Sequence, residues 1–382
     1  DACTTGSYCT VIGHQAGGAH TTGASLTAVG SYCLDANTTG NYNVGVGSGC
    51  LGSNTTASNN VAVGTSALQA NTTGAQNTAV GKGALLSNTT GPYNVAMGYL
   101  ALEDNTTGTK NTALGTFALE FNSTANDNTA VGYQALGANT TGSTNNALGK
   151  GALSSNTTGN DNNAYGVNTL LSNTTGSNNV AVGRSALGTN TTASNNTAVG
   201  HWALLDNTTG VSNVAVGANS LDANTTGSQN IAIGLNALGS TTTGIDNTAV
   251  GHASQSSGTT QSKCTSVGYD SLLSNTTGTR CTAVGFMALR ASTGVNNTAI
   301  GCNAGDSITS GTENVCIGRY AQTSSATASN EIVLGNNNHS ALRCNVQTIS
   351  SLSDARDKTD VIDLLEGLNF INKLRPVKFK WD

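Results

Sequence analysis

The sequence predicts an all-β protein, a parallel β-solenoid (β-roll) with one coil for every 17 residues. Three observations carry that prediction. First, a pentapeptide returns at a fixed interval, as NVAVG at 60–64, NTAVG at 77–81, NVAMG at 94–98 and NTALG at 111–115. The glycine that closes it falls at 13, at every 17th position from there to 285, and then at 301, 318 and 335, which makes 20 copies. The single 16-residue step is a one-residue deletion in a loop, where RASTG replaces the usual xxNTTG. Second, the repeat is too short for a pair of helices, and its Gly, Asn and Thr are poor helix formers. Third, the composition departs from that of an ordinary domain. Charged residues are 9% of the chain, against about 25% usually, and Gly is 48 of 382.

The unit reads G-x-x-A-L-x-x-N-T-T-G-x-x-N-[TV]-A-V. The segment N-[TV]-A-V-G alternates, and its Thr and Val suit a short strand. A-L-x-x reads as a second, shorter strand. NTTG supplies turn chemistry, because Asn bonds its own backbone and Gly accepts positive φ. Coils that pair in parallel advance about 4.8 Å each, so 20 of them form a rod roughly 95 Å long.

Side-chain columns follow from the period. The residue before the repeat Gly is apolar in all but one copy, Tyr165 being the amphipathic exception, and Leu recurs four residues after the Gly in 15 copies. These Val/Ile and Leu columns are expected to form the narrow interior. The position two before the Gly must then point outward. It is Ala in 15 copies, among them Ala62, Ala79, Ala96, Ala113 and Ala130. An outward Ala column suits close approach of another backbone, so it is read as a subunit interface, most simply three identical rods around one axis. The competing reading is that Ala fills a tight corner of a single chain.

Asn stands four before the Gly in 15 copies, including Asn60, Asn77, Asn94, Asn111 and Asn128. Stacked amides there are expected to hydrogen-bond along the rod as a structural ladder. The other Asn column opens NTT, which is also an N-glycosylation sequon in 13 copies, for example at Asn37, Asn71, Asn88 and Asn105. Glycans about 5 Å apart would collide, so the match is read as a by-product of turn chemistry. Cys33 and Cys50 share one phase in adjacent coils, and Cys264 and Cys281 share the Asn phase. Stacked Cα atoms about 4.8 Å apart lie within disulfide range. Each pair is read as either a disulfide or a pair of small apolar residues.

Other chemistry finds little support. The net charge is −5 and the 15 Lys and Arg are dispersed, so no nucleic acid is expected as a partner. No apolar run reaches about 18 residues, so no membrane insertion is expected. The nine Cys form no CxxC pair, and His14, His20, His201, His252 and His339 are scattered without carboxylates. No metal and no cofactor are expected, and no enzyme in the repeat region. The opening DACTTGSYCTVIG already fits the second half of the unit, as a fragment cut within a repeat would.

The repeat resembles known fibres. The left-handed parallel β-roll heads of trimeric autotransporter adhesins carry a similar strand, N-S-V-A-I-G, in a shorter repeat. NTAVGKGALLSNTTGPYNVAMG (77–98) is still more similar to the repeats of tail-fibre proteins of phages and their bacterial relatives. The resemblance covers residues 9 to about 335 and implies a left-handed, trimeric, extracellular fibre.

Domain organisation is therefore read as a solenoid shaft at 1–335, an exit segment at 336–352 and a different unit at 353–382. In that last unit charge density rises, Val361, Ile362, Leu364, Leu365 and Leu368 fit a short helix, and LRPVKFKW alternates as a strand would. Its S-D-x-R-x-K, at Ser353, Asp354, Arg356 and Lys358, followed by GLNFINKLRPVKFKW, resembles the start of the intramolecular chaperone domain of endosialidases and other phage fibres. That family trimerises its fibre and then cuts itself just before the Ser. The resemblance implies Ser353 as nucleophile and Lys358 as the base that takes its proton. Without it, Ser353 reads as a helix cap.

The function expected is the shaft of a trimeric tail fibre or surface fibre, partnered by itself as a homotrimer. A tip outside the repeat would contact a host-surface receptor or glycan. The rivals are a bacterial trimeric adhesin and an ice-binding solenoid. The latter needs two Thr columns on an exposed strand face, and TT here falls in the turn.

Overall fold

The computed structural model describes residues 7–341. They form the expected all-β parallel solenoid, with no helix among them. Twenty strands of three residues each run from β1 (Thr10–Ile12) to β20 (Ile332–Leu334), one per repeat. Each pairs in parallel with the next in unshifted register, so that Thr78, Ala79 and Val80 face Val95, Ala96 and Met97. Nineteen steps of about 4.8 Å give the stack a length of about 90 Å. One compact unit extends through Asn336.

The coil differs from expectation in having a single strand. A-L-x-x forms turns instead, because its Leu adopts left-handed backbone: Leu68, Leu85 and Leu102 have φ of 53°, 52° and 55°. The residue two before each such Leu is left-handed as well, as in Ser66 at 57° and Leu100 at 53°. The N–H groups of the two left-handed residues point to opposite neighbours, while Ala67 N–H between them closes on Gly64 O of its own turn at 3.3 Å. Ser66 N–H donates back to Ser48 O at 2.9 Å, and Leu68 N–H donates forward to Ala84 O at 3.0 Å. The turn thereby contributes rungs as the strand does, which satisfies its buried backbone. The repeat Gly is required on two counts. Gly81 has φ 135°, and a Cβ on it would lie 2.3 Å from the carbonyl oxygen of Gly98.

The faces of the strand reverse the sequence expectation. Ala62, Ala79, Ala96, Ala113 and Ala130 are 0% exposed within one chain and belong to the core, so they are no outward interface. The apolar residues before the Gly point out instead, with Val63 at 36%, Met97 at 46% and Leu148 at 49% exposed. The physical reason is geometric. A three-residue strand turns only its middle residue inward, and the Leu column reaches across the thin coil to meet it. At Gly45, which stands in the Ala column, an added Cβ would lie 3.4 Å from Leu34 Cδ1. A small side chain is what that space accepts, while Leu34, Leu51 and their successors are fully buried as expected.

Candidate functional site

Two inward Asn columns cross-tie the coils. In the first, Asn77 N–H donates to Asn60 Oδ1 at 2.9 Å and Asn94 N–H to Asn77 Oδ1 at 2.8 Å. Asn111 and Asn128 continue the run at 2.9 and 3.0 Å. Each Nδ2 then donates to a carbonyl of the next coil, as Asn77 does to Gly91 O at 2.9 Å. The link is therefore mainly side chain to backbone. Amide-to-amide stacking runs through the NTT column, which sequence reasoning set aside as turn chemistry. Asn71 Nδ2 donates to Asn54 Oδ1 at 2.9 Å and Asn88 Nδ2 to Asn71 Oδ1 at 2.8 Å. The chain of amides continues to Asn224. The second N–H of each amide goes to its own turn, as Asn88 Nδ2 to Gly91 O at 3.0 Å. Both protons are engaged and the side chains are buried, so these sequons offer no free amide on the folded chain. The period was the signal that both columns are structural; which of them links amide to amide depended on their depth in the coil.

The cysteine pairs sit differently from one another. Cys33 Sγ and Cys50 Sγ are 3.0 Å apart, fully buried, and both are free thiols. Their shared proton splits their acidity: the Cys50 contact and burial push Cys33 up, whereas the Cys33 contact draws Cys50 down. Cys264 and Cys281 are also free thiols and stand in for Asn. Cys264 Sγ accepts from Cys281 N–H at 3.5 Å and donates to Gly278 O at 3.4 Å, and Cys281 Sγ donates to Gly294 O at 3.2 Å.

Outside, the strand face carries one apolar column, the residues before the repeat Gly, and one mixed column. Beyond Val63 and Met97, it exposes Val182, Ile233, Ile300 and Ile317 at 36–43%. The mixed column, three residues before the Gly, holds Thr, Val, Ile and Asn, as at Thr78, Val95, Ile231 and Asn146. The strip, about 90 Å long and two outward residues wide, covers on the order of 600 Å², and an unbroken apolar column runs along it. Beside it lie ring stacks, such as His252, Tyr269 and Phe286 with centroids 5.0 and 5.4 Å apart and planes within 9° and 13°. Their faces are spent on each other, leaving edges to solvent. Among the described residues no group of three or more His, Cys, Asp or Glu is placed to hold a metal, and no helix is long and apolar enough to cross a membrane. Ser353 and Lys358 lie outside the described residues.

Comparison with known proteins adds one finding. Residues 353–382 match the family described as chaperone of endosialidase. No curated protein and no solved structure matches the chain. What the chain shows is a solenoid shaft followed by a segment similar to an endosialidase chaperone, which fits a fibre-like structural protein.

Proposed function

We propose that the protein is the shaft of a homotrimeric fibre, of the kind found on phage tails or cell surfaces, and that it holds a host-contacting tip away from its carrier. The observation that carries this reading is the chaperone match at 353–382, separated from the last repeat Gly by the 17 residues 336–352. Backbone rungs at every coil and two lines of Asn bonds supply stiffness. With the Ala column inside, the surface that three copies would share is the outward strand face of Thr/Val and Val/Ile columns, whose exposure in one chain calls for cover. Ser353 Oγ would attack the carbonyl carbon of Leu352 with Lys358 taking its proton, so that the Leu352–Ser353 peptide bond gives way to an ester and the Ser353 nitrogen leaves as an amine. Water would then hydrolyse the ester, releasing the chaperone once the fibre is assembled.

Light scattering of the full chain tests the assembly. A mass of three chains is expected, and Val63→Lys with Ile233→Lys on the outer face should reduce it to one. A single-chain mass for the unaltered protein rejects the proposal. Intact mass spectrometry separates the second part: scission between Leu352 and Ser353 is expected, and Ser353→Ala should abolish it while leaving the three-chain mass.

A further inference from the structure

The coils that begin at Gly30 and Gly47 depart from the repeat in a matched way. The third residue after the Gly is Ala in most coils but Cys33 and Cys50 here. Opposite them, Gly45 is the one Gly in a column that is otherwise Ala in 15 of 20 copies. A Cβ at Gly45 would lie 2.5 Å from Cys33 Sγ and 3.1 Å from Cys50 Sγ. The missing methyl makes room for two sulfurs in a core packed for three methyl groups. Cys264 and Cys281 have no such compensation, because their thiols take over hydrogen bonds of Asn.

We propose that Cys33 and Cys50 form a reversible intrachain disulfide that staples two successive coils when the protein meets a disulfide oxidant such as glutathione disulfide. Stacked Cα atoms about 4.8 Å apart fall inside the bridging range. The sulfurs, 3.0 Å apart, need to approach by about 1 Å to reach bond length. When the coils open locally, the Cys50 thiolate attacks one sulfur of glutathione disulfide and expels a glutathione thiolate. Cys33 then gives up its proton and attacks Cys50 Sγ, expelling the second glutathione. The two protein thiols are oxidised, and one glutathione disulfide is reduced to two glutathione molecules. Joining adjacent coils limits their separation in the opened state.

The test uses the full chain, incubated with glutathione disulfide, denatured with an alkylating agent and mapped by chymotryptic peptides. Cys33 and Cys50 should be recovered as a linked pair that dithiothreitol separates. Amide exchange at Leu34 and Leu51 should slow about tenfold or more on oxidation. Gly45→Ala should cut the linked yield about tenfold, because the methyl returns between the sulfurs. Combining it with Cys33→Ala and Cys50→Ala rebuilds the Ala set of the other coils and should restore exchange to that of the reduced protein. Full alkylation of both thiols after oxidation, or glutathione held separately on each, overturns the proposal. So does a Gly45→Ala chain that links as well as the original.

Discussion

The coils between Asn43 and Asn224 and those between Thr241 and Asn297 share one backbone path but not one interior. In the first stretch nearly every column is continuous. Leu fills its place at each coil, and Thr169 and Ser220, where Ala is usual, bond back to Gly166 O and Gly217 O at 2.8 and 2.9 Å. In the second stretch several columns fail together. Gln255 takes the Leu place, while Ser254, Ser266 and Ser271 take Ala places. Their hydroxyls bond each other, Ser254 to Ser266 at 2.7 Å and to Ser271 at 3.0 Å. The apolar core divides there into one cluster ending at Ala249 and another starting at Cys264. The amide chain stops as well: Thr241 and Gly258 replace Asn, and Asn224 Oδ1 is left without a partner. Because each coil touches only its neighbours, a solenoid is as cooperative as its weakest junction. The difference teaches that the repeat stabilises by column, and that at the coils around Ser254 the apolar core divides while strand pairing runs on.

The largest expected contrast comes from removing one amide on each side of that division. Asn139→Ala strands Asn122 Oδ1 and one N–H of Asn156 in the interior, since those bonds of 3.0 and 2.8 Å vanish. At about 1–3 kcal/mol for each buried orphan, a loss of about 3 kcal/mol is expected in urea unfolding. Asn275→Ala leaves only Gly278 N–H without its 2.8 Å acceptor and should cost about 1 kcal/mol. Equal losses would show that column continuity is irrelevant.

A repair should be next in size. Gln255→Leu with Ser254→Ala, Ser266→Ala and Ser271→Ala makes the core continuous, and Asn247 Oδ1, which loses Gln255 Nε2, keeps the Cys264 N–H. Burying a Leu there is worth about 2 kcal/mol, and the second block should then unfold together with the first. Persistence of separate transitions would place the junction elsewhere.

How much of this was legible in the sequence depends on periodicity. The coil length, the Leu column and the role of the repeat Gly follow from strict recurrence. Strand parity did not, because a three-residue strand offers one alternation step, and Ala and Val both pass as core residues. Size was the overlooked clue: Leu reaching across a thin coil leaves room for Ala. The left-handed backbone at Leu68 and its equivalents was hidden as well, since a bulky residue rarely adopts it. Tertiary packing overrides that preference. The chemistry expected of Ser353 and Lys358 came from family resemblance, which the match at 353–382 extends.

The smallest expected effect concerns pH in the continuous stretch. Burial, then Asp104, raises Glu103, and burial, then the charges of Glu103 and Asp104, raises Glu120. A carboxyl raised on folding binds its proton more tightly in the native state. Stability should therefore fall slightly as pH climbs from the ordinary glutamate value through the raised one. Glu120→Gln should flatten that part of the profile, and a slope of opposite sign would refute the assignment.

The central claim is that each repeat is one coil of a straight stack. Spin labels on noncanonical residues at Thr73, Thr141, Thr209 and Thr277, all exposed turn positions spaced by 68 residues, test it most directly. With labelled chains diluted in unlabelled ones, distances from Thr73 should rise as one, two and three steps of about 19 Å, four coils at a time. Distances that stay flat, or that fail to grow in proportion, would contradict the stack.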